Sequence, residues 1–259
     1  MLIEERRQHI LSLIQTQGRV LVDELAEHLQ LSKITIRHDL DYLESRKMLV
    51  RSHGGALPIQ SGSLLDPTLR EKEDLHHQEK VSIAHAAAAL VQEGQCIILD
   101  SGTTTSEIAR SLLAFRKLTI ITNALNVAAE LASSDFEVIL VGGTLRKNSL
   151  SVVGPLSEDV LREIHADIVF LGVDGFDVKT GLTTPNLLEA RVNRAMVAAA
   201  EKVVAVCDSS KFGRRSLSLI VKAAAIDQVI TDSKVTPENL RAMREIGIEV
   251  TVVGEHTEK

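Results

Sequence analysis

The chain of 259 residues has no tryptophan, one tyrosine and five phenylalanines. Its core must therefore be built from Leu, Ile, Val and Ala, a mix that suits helices packed on a parallel sheet. Only two cysteines occur, Cys96 and Cys207, each inside an apolar run. They make no disulfide framework and no zinc pattern, and read as buried, reduced core thiols. No stretch approaches the ~18 apolar residues of a membrane span. The opening MLIEERRQ has no apolar signal core, so the chain is expected in the cytoplasm. Nucleotide and hydrolase fingerprints are absent: there is no G-x-x-x-x-G-K-[ST], no G-x-G-x-x-G and no G-x-S-x-G. No cofactor is expected, and no metal: His76-His77 lacks further ligands, and adjacent helical residues point about 100° apart.

What is present divides into two parts. Residues 1–56 balance eight Lys/Arg against eight Asp/Glu, so the net charge of −6 lies entirely in the remainder. In the first part, Ile3, Ile10, Leu13 and Ile14 space a helix over 3–17, with Gly18 ending it. A second helix is expected over 22–29 (VDELAEHL). Ser32 is a good N-cap for a third, 33–45 (KITIRHDLDYLES), with Ile36, Leu40 and Leu43 as its inward stripe. Two short helices across a tight turn form a helix-turn-helix. Lys33, Thr35, Arg37 and His38 lie near the start of the third helix, where a recognition helix meets base edges and phosphates. Asp39, Asp41 and Glu44 should face away from DNA. Met48-Leu49-Val50 reads as a strand and His53-Gly54-Gly55 as a hairpin turn. A hairpin behind a recognition helix is a wing, from which Arg51 and His53 could reach phosphate. A small protein-interaction module with a solvated charged face is the other reading of this segment.

Residues 5–57 resemble the DNA-binding head of the DeoR family of bacterial transcriptional regulators. The resemblance is carried by Glu5-Arg6-Arg7, Val22 to Leu29, the run Leu31 to Leu40, and Arg51-Ser52-His53-Gly54-Gly55-Ala56. It extends the DNA-facing role to Ser32, Ile36, Gly54 and Gly55. His38 stands where that family often has Arg or Asn, and Lys47 where it often has a helix-ending Gly.

Residues 58–74, with two prolines and a glycine before a charged run, read as a linker between a 1–57 head and a 75–259 body. A helix with an apolar stripe from Val81 to Val91 follows, closed by Gly94. The chain then alternates. CIILD, LTIIT, FEVILV, ADIVFLG, KVVAVC, QVIT and IEVTVV are strand-like. SEIARSLL, NVAAELA, EARVNRAMVAAA and PENLRAMREIG are helical. This rhythm predicts an α/β fold: a doubly wound, mostly parallel sheet behind the winged helix-turn-helix.

Ligands of such sheets sit at the carboxyl ends of strands. Those ends carry Asp100-Ser101-Gly102-Thr103-Thr104-Thr105, then Asn123, then Gly142-Gly143 with Arg146, then Asp174-Gly175 with Thr183 and Glu189, and finally Lys211. A glycine and a helix N-terminus suit a phosphate. Two cations would reinforce it, and carboxylates or amides could accept sugar hydroxyls. Each member also has a plainer reading, as a helix cap, a bare turn or a solvated charge. Together they fit a phosphorylated sugar or polyol.

The motifs DSGTTT, TN, VGG with Arg146, SVVGP, ADIVFLGVDG, GLTT, Glu189 and DSSKFG resemble the sensor domain of the DeoR family, which is similar in fold to ribose-5-phosphate isomerase. SEIARSL, GVDGFD, NLLEARVNRAM and DSSKFGRRSL most resemble its amino-sugar-pathway regulators. The family implies a repressor of sugar-utilisation genes that binds double-stranded operator DNA, is released by a phosphorylated sugar, and works as a homodimer or homotetramer. The alternative is a sugar-phosphate isomerase-like enzyme. Asp174 and Asp177 could match its acids, but Lys179 is followed by no glycine run. Without a placed base and a cation at the oxyanion, the residues favour binding over turnover.

Overall fold

The computed structural model describes residues 2–17, 19–46, 48–52, 54–58 and 66–254. The chain forms two compact units, Met1–Gly62 and Ser63–Lys259. No helix among the described residues is long and apolar enough to cross a membrane.

The first unit runs α1 (Ile3–Gln17), β1 (Val20–Leu21), α2 (Val22–His28), α3 (Lys33–Ser45), β2 (Leu49–Ser52) and β3 (Gly55–Pro58). Ile10, Ile14, Leu25, Ile36, Leu40, Leu43 and Leu49 make its core, so the apolar stripes of the three helices meet each other and the wing. Ser32 caps α3, its Oγ accepting from the Thr35 amide at 3.1 Å. The two-residue β1 pairs antiparallel with β3, an addition to the expected hairpin.

The second unit opens with α4 (Leu69–Glu73) and α5 (His77–Ala88). Residues 66–74, read as the end of the 58–74 linker, belong to this unit: Thr68 and Glu71 close a capping box on α4. All seven expected strands form one parallel sheet. They are β4 (Cys96–Leu99), β5 (Thr119–Thr122), β6 (Glu137–Leu140), β9 (Ala166–Gly172), β12 (Ala200–Val206), β14 (Gln228–Asp232) and β15 (Glu249–Val253). Their spatial order is β15-β14-β12-β9-β4-β5-β6. Period-two alternation divides them between two cores. Ile97, Leu99, Phe170 and Val204 face α5, α6 (Thr103–Leu112) and α7 (Leu125–Leu131). Ile98, Val169, Leu171 and Ala205 face α8 (Pro155–Arg162), α9 (Leu187–Ala198) and α10 (Pro237–Glu245).

Two small antiparallel sheets decorate the carboxyl edge, and neither was expected. One is β7 (Thr144–Arg146) with β8 (Ser151–Val153). The other is β10 (Gly175–Asp177), β11 (Gly181–Thr184) and β13 (Ser218–Val221). The chain winds outward from β4 to β6 and returns from β9 to β15. The order therefore reverses between β4 and β9, the switch point at which open α/β sheets place ligands.

Candidate functional site

In the first unit the start of α3 is exposed. Arg37 and His38 are exposed, with no ion pair among the described residues. Lys33 is also exposed and meets Asp23 at 2.9 Å. The Ser32 and Thr35 hydroxyls lie 2.8 Å apart and serve the cap. Ile36 corrects an expectation: it is fully buried, since it opens the 36/40/43 stripe, and its side chain cannot reach a base. The apolar residue on the open side is Ile34, 66% exposed and unforeseen. Gly54 is exposed at φ +77°, in the left-handed region that favours glycine. Gly55 is likewise corrected: it is buried, and a Cβ there would collide with the Val20 carbonyl oxygen. It is required by the β1–β3 pairing. His53 lies outside the described residues. Arg51 is half-buried, with Nε 3.1 Å from Asp41 and a guanidinium N–H donating to the Gly55 carbonyl at 3.2 Å. Its amide donates to Glu44 at 2.9 Å, so the wing is tied to the far end of α3.

Asp39 does not face solvent. It is buried and accepts from Arg6 at 2.5 Å and Arg7 at 3.0 Å. Arg7 also stacks 3.6 Å over the Tyr42 ring. These contacts lock α1 onto the face of α3 opposite its exposed cations.

In the second unit a polar centre lies at the switch point. Asp100, at the end of β4, is buried; it accepts from the Ser101 amide at 2.6 Å and from Asn193 at 3.2 Å. Burial first, and the nearby Glu189 and Asp174 next, push its carboxyl well above the usual range. Gly102 precedes α6 at φ +154°, and Thr103 begins the helix half-buried. Thr104 and Thr105 are buried, and the Thr105 hydroxyl donates back to the Gly102 carbonyl at 3.0 Å; no side chain caps the N–H groups at this helix end.

Asp174, after β9, accepts from Lys72 at 2.6 Å and from the Thr184 hydroxyl at 3.1 Å. Burial would raise its pKa, but Lys72 and Lys211 outweigh burial and hold the carboxyl below its ordinary value. Thr184 also donates to Glu189 at 3.2 Å. Glu189 accepts from Arg146 at 3.0 Å and from Ser151 at 3.1 Å. Arg146 bonds Ser149 at 2.9 Å and pairs with Asp66. Asp66, Arg146, Glu189, Thr184, Asp174 and Lys72 thus form one connected chain of bonds. Lys211 follows β12, half-buried; burial lowers its pKa, with Asp208 and Asp174 pulling the other way.

Several expected residues sit at the edge of this centre or outside its network. Asn123 is buried and donates to the Val152 carbonyl at 3.2 Å, while its Oδ1 has no partner. Thr183 turns into the small sheet, donating to the Gly175 carbonyl at 3.2 Å. Gly175 is packed where a Cβ would stand 2.6 Å from the Arg214 carbonyl oxygen. Gly142 and Gly143 turn the chain into β7; the Gly142 carbonyl accepts from Ser157 at 2.5 Å. The network members that sequence reasoning missed are Asp66, Lys72 and Ser149; Thr184 and Ser151 fall within the GLTT and SVVGP motifs without being singled out as site residues. Asp66 and Lys72 fell in the expected linker, where nothing in the sequence pattern marks a site.

The C-terminal part, residues 75–233, matches the model described as the DeoR C terminal sensor domain. Residues 6–61 match the DeoR-like helix-turn-helix domain. A protein named, provisionally, as an aga operon transcriptional repressor, from Escherichia coli O157:H7, is 42% identical over 97% of this chain and 94% of its own. The glycerol-3-phosphate regulon repressor of Escherichia coli K12 is 34% identical over 88% of this chain and 90% of its own. Among solved structures, ribose 5-phosphate isomerase A from Methanocaldococcus jannaschii overlaps 53% of this chain and 55% of its own, at 18% identity and a TM-score of 0.40. The chain belongs to the DeoR family: it is a DNA-binding transcriptional regulator, not an enzyme.

Proposed function

We propose that the chain represses a sugar-catabolism operon and leaves its operator when a phosphorylated sugar binds in the second unit. The observation that carries this reading is the switch point itself. Arg146 pairs there with Glu189, and Lys72 and Lys211 act on Asp174; both carboxylates lie close enough to shift Asp100, which stands just before α6. The amides at that helix end offer N–H donors and about half a positive charge. A phosphate would take the N–H groups of 102–105 and the cations. Asp174, Glu189 and Asn123 would accept or donate to sugar hydroxyls. The two relatives named for the aga operon and the glycerol-3-phosphate regulon point to the same class of pathway.

In the first unit Lys33, Thr35, Arg37 and His38 would meet the major groove, with Ile34 available for a thymine methyl. Paired heads in a homodimer or homotetramer would raise affinity for repeated half-sites through effective concentration. The effector need supply only about 1–3 kcal/mol of coupling between its site and the heads.

Thermal unfolding of the full chain against a panel of phosphorylated and unphosphorylated sugars tests the binding half. A ligand at a hundred times its Kd stabilises the folded state by about 2.7 kcal/mol. One phosphorylated sugar should raise the transition while its unphosphorylated counterpart does not. Equal response to both would contradict a phosphate site.

A further inference from the structure

Arg146 has two carboxylate partners of different standing. Glu189 is buried and also held by Ser151 and Thr184. Asp66 is 27% exposed and belongs to neither the sheet nor a core cluster. It sits on the segment that leads back, through residues 59–65, to the end of β3 in the DNA-binding unit. That segment is fastened to the loop between β7 and β8. Asn148 donates to the Asp66 carbonyl at 3.2 Å and to its carboxylate at 3.1 Å. The Asn148 carbonyl accepts from the Leu69 amide at 2.6 Å. Six residues beyond Asp66, Lys72 reaches Asp174. Lys80 fixes the end of α4 by donating to the Lys72 carbonyl at 2.5 Å.

A guanidinium prefers a paired, planar anion, and a carboxylate and a phosphate compete for the same N–H fork. A phosphate dianion beside both Asp66 and Glu189 would meet strong like-charge repulsion. One carboxylate must leave. Glu189 is anchored from three sides in the core, whereas Asp66 is held at the surface.

We propose that Asp66 is an internal stand-in for the anionic group of the effector, and that effector binding to Arg146 expels Asp66 and unfastens residues 66–74. This rests on the reading of the second unit as a phosphorylated-sugar site and adds its means of release. The exchange makes and breaks no covalent bond. The arriving anion comes from solution while Asp66 stays tethered to the chain, so the exchange moves with effector concentration by mass action. The segment set free is the covalent route to the wing.

The test uses the full chain and its Asp66→Asn variant, which keeps size and a hydrogen-bonding side chain but loses the charge. Trypsin cleavage at Arg70 and Lys72 reports the fastening. Calorimetry with inorganic phosphate, glycerol 3-phosphate and glucosamine 6-phosphate reports binding. The variant should be cut faster at those two sites without ligand, while the rest of the second unit resists. It should bind whichever probe the unmodified chain binds about tenfold tighter, roughly the value of one charge-assisted contact. That probe should also speed cleavage at Arg70 and Lys72 in the unmodified chain. If the unmodified chain binds a probe and Asp66→Asn binds it no tighter, Asp66 is only a staple; the inference falls and the sugar-phosphate reading stands. If neither protein binds any probe, both fall together.

Discussion

Arg6 reaches from the first helix to the recognition helix and bonds the buried Asp39 carboxylate at 2.5 Å. Arg7 takes the other oxygen at 3.0 Å. The Asp39 hydrogen bond raises the pKa of Arg6 above its ordinary value. Removing one member of a buried pair leaves uncompensated charge, at a cost of about 3–5 kcal/mol in full burial. The two arginines lie nearer the surface, so Asp39→Ala should destabilise the first unit by about 2–3 kcal/mol. Chemical denaturation followed by helical signal checks this. A change below about 0.5 kcal/mol, the range of ordinary surface substitutions, would show that the clamp contributes nothing.

Ile36 and Arg37 are adjacent and should fail differently. Ile36→Ala empties a core position and should cost about 2–5 kcal/mol of stability. Arg37→Ala touches only solvent in the free protein, so stability should change by less than about 0.5 kcal/mol. It should nonetheless cost about 5- to 150-fold in operator affinity, the equivalent of about 1–3 kcal/mol for one good base contact. Normal operator binding by a fully folded Arg37→Ala variant would show that the helix does not read DNA as described.

Lys80 should give the second unit a pH dependence. Burial lowers its pKa to about 8, with attraction from Asp208 offsetting part of the effect. In the unfolded chain the ordinary value is about 10.4. Between those values the unfolded chain binds more protons than the folded one, so this group's contribution to stability rises with pH. In Lys80→Met that rise is absent. The stability difference between the two proteins should therefore move in favour of the unmodified chain from pH 7.5 to pH 9.5. The same difference at both pH values would contradict the assignment.

The sheet was legible in the sequence because burial on both faces leaves continuous apolar runs. CIIL, TIIT and VVAV are such runs, and each became a strand of the seven. Ser32 and the 36/40/43 stripe bounded α3 for a similar reason: a cap and a period are both local signals. Three features were not legible. β1 has only two residues, and its pairing with β3 depends on Gly55 lacking a Cβ. The β7–β8 hairpin is too short for period-two alternation to show. The polar network joins residues as far apart as Asp66 and Glu189, and no spacing rule relates them. Ile36 was misassigned because the family motif covers it, although its own position in the stripe already placed it inside.

On the proposed function, a phosphorylated sugar in the second unit governs DNA binding by the first. Fluorescence anisotropy on DNA upstream of the chain's own gene, at one fixed salt concentration, tests it most directly. Salt must be held because phosphate contacts make affinity steeply salt-dependent. Binding should be tight and sequence-specific, and one phosphorylated sugar should weaken it about fivefold or more, the lower end of typical allosteric coupling. Specific binding that no phosphorylated sugar alters would contradict this function.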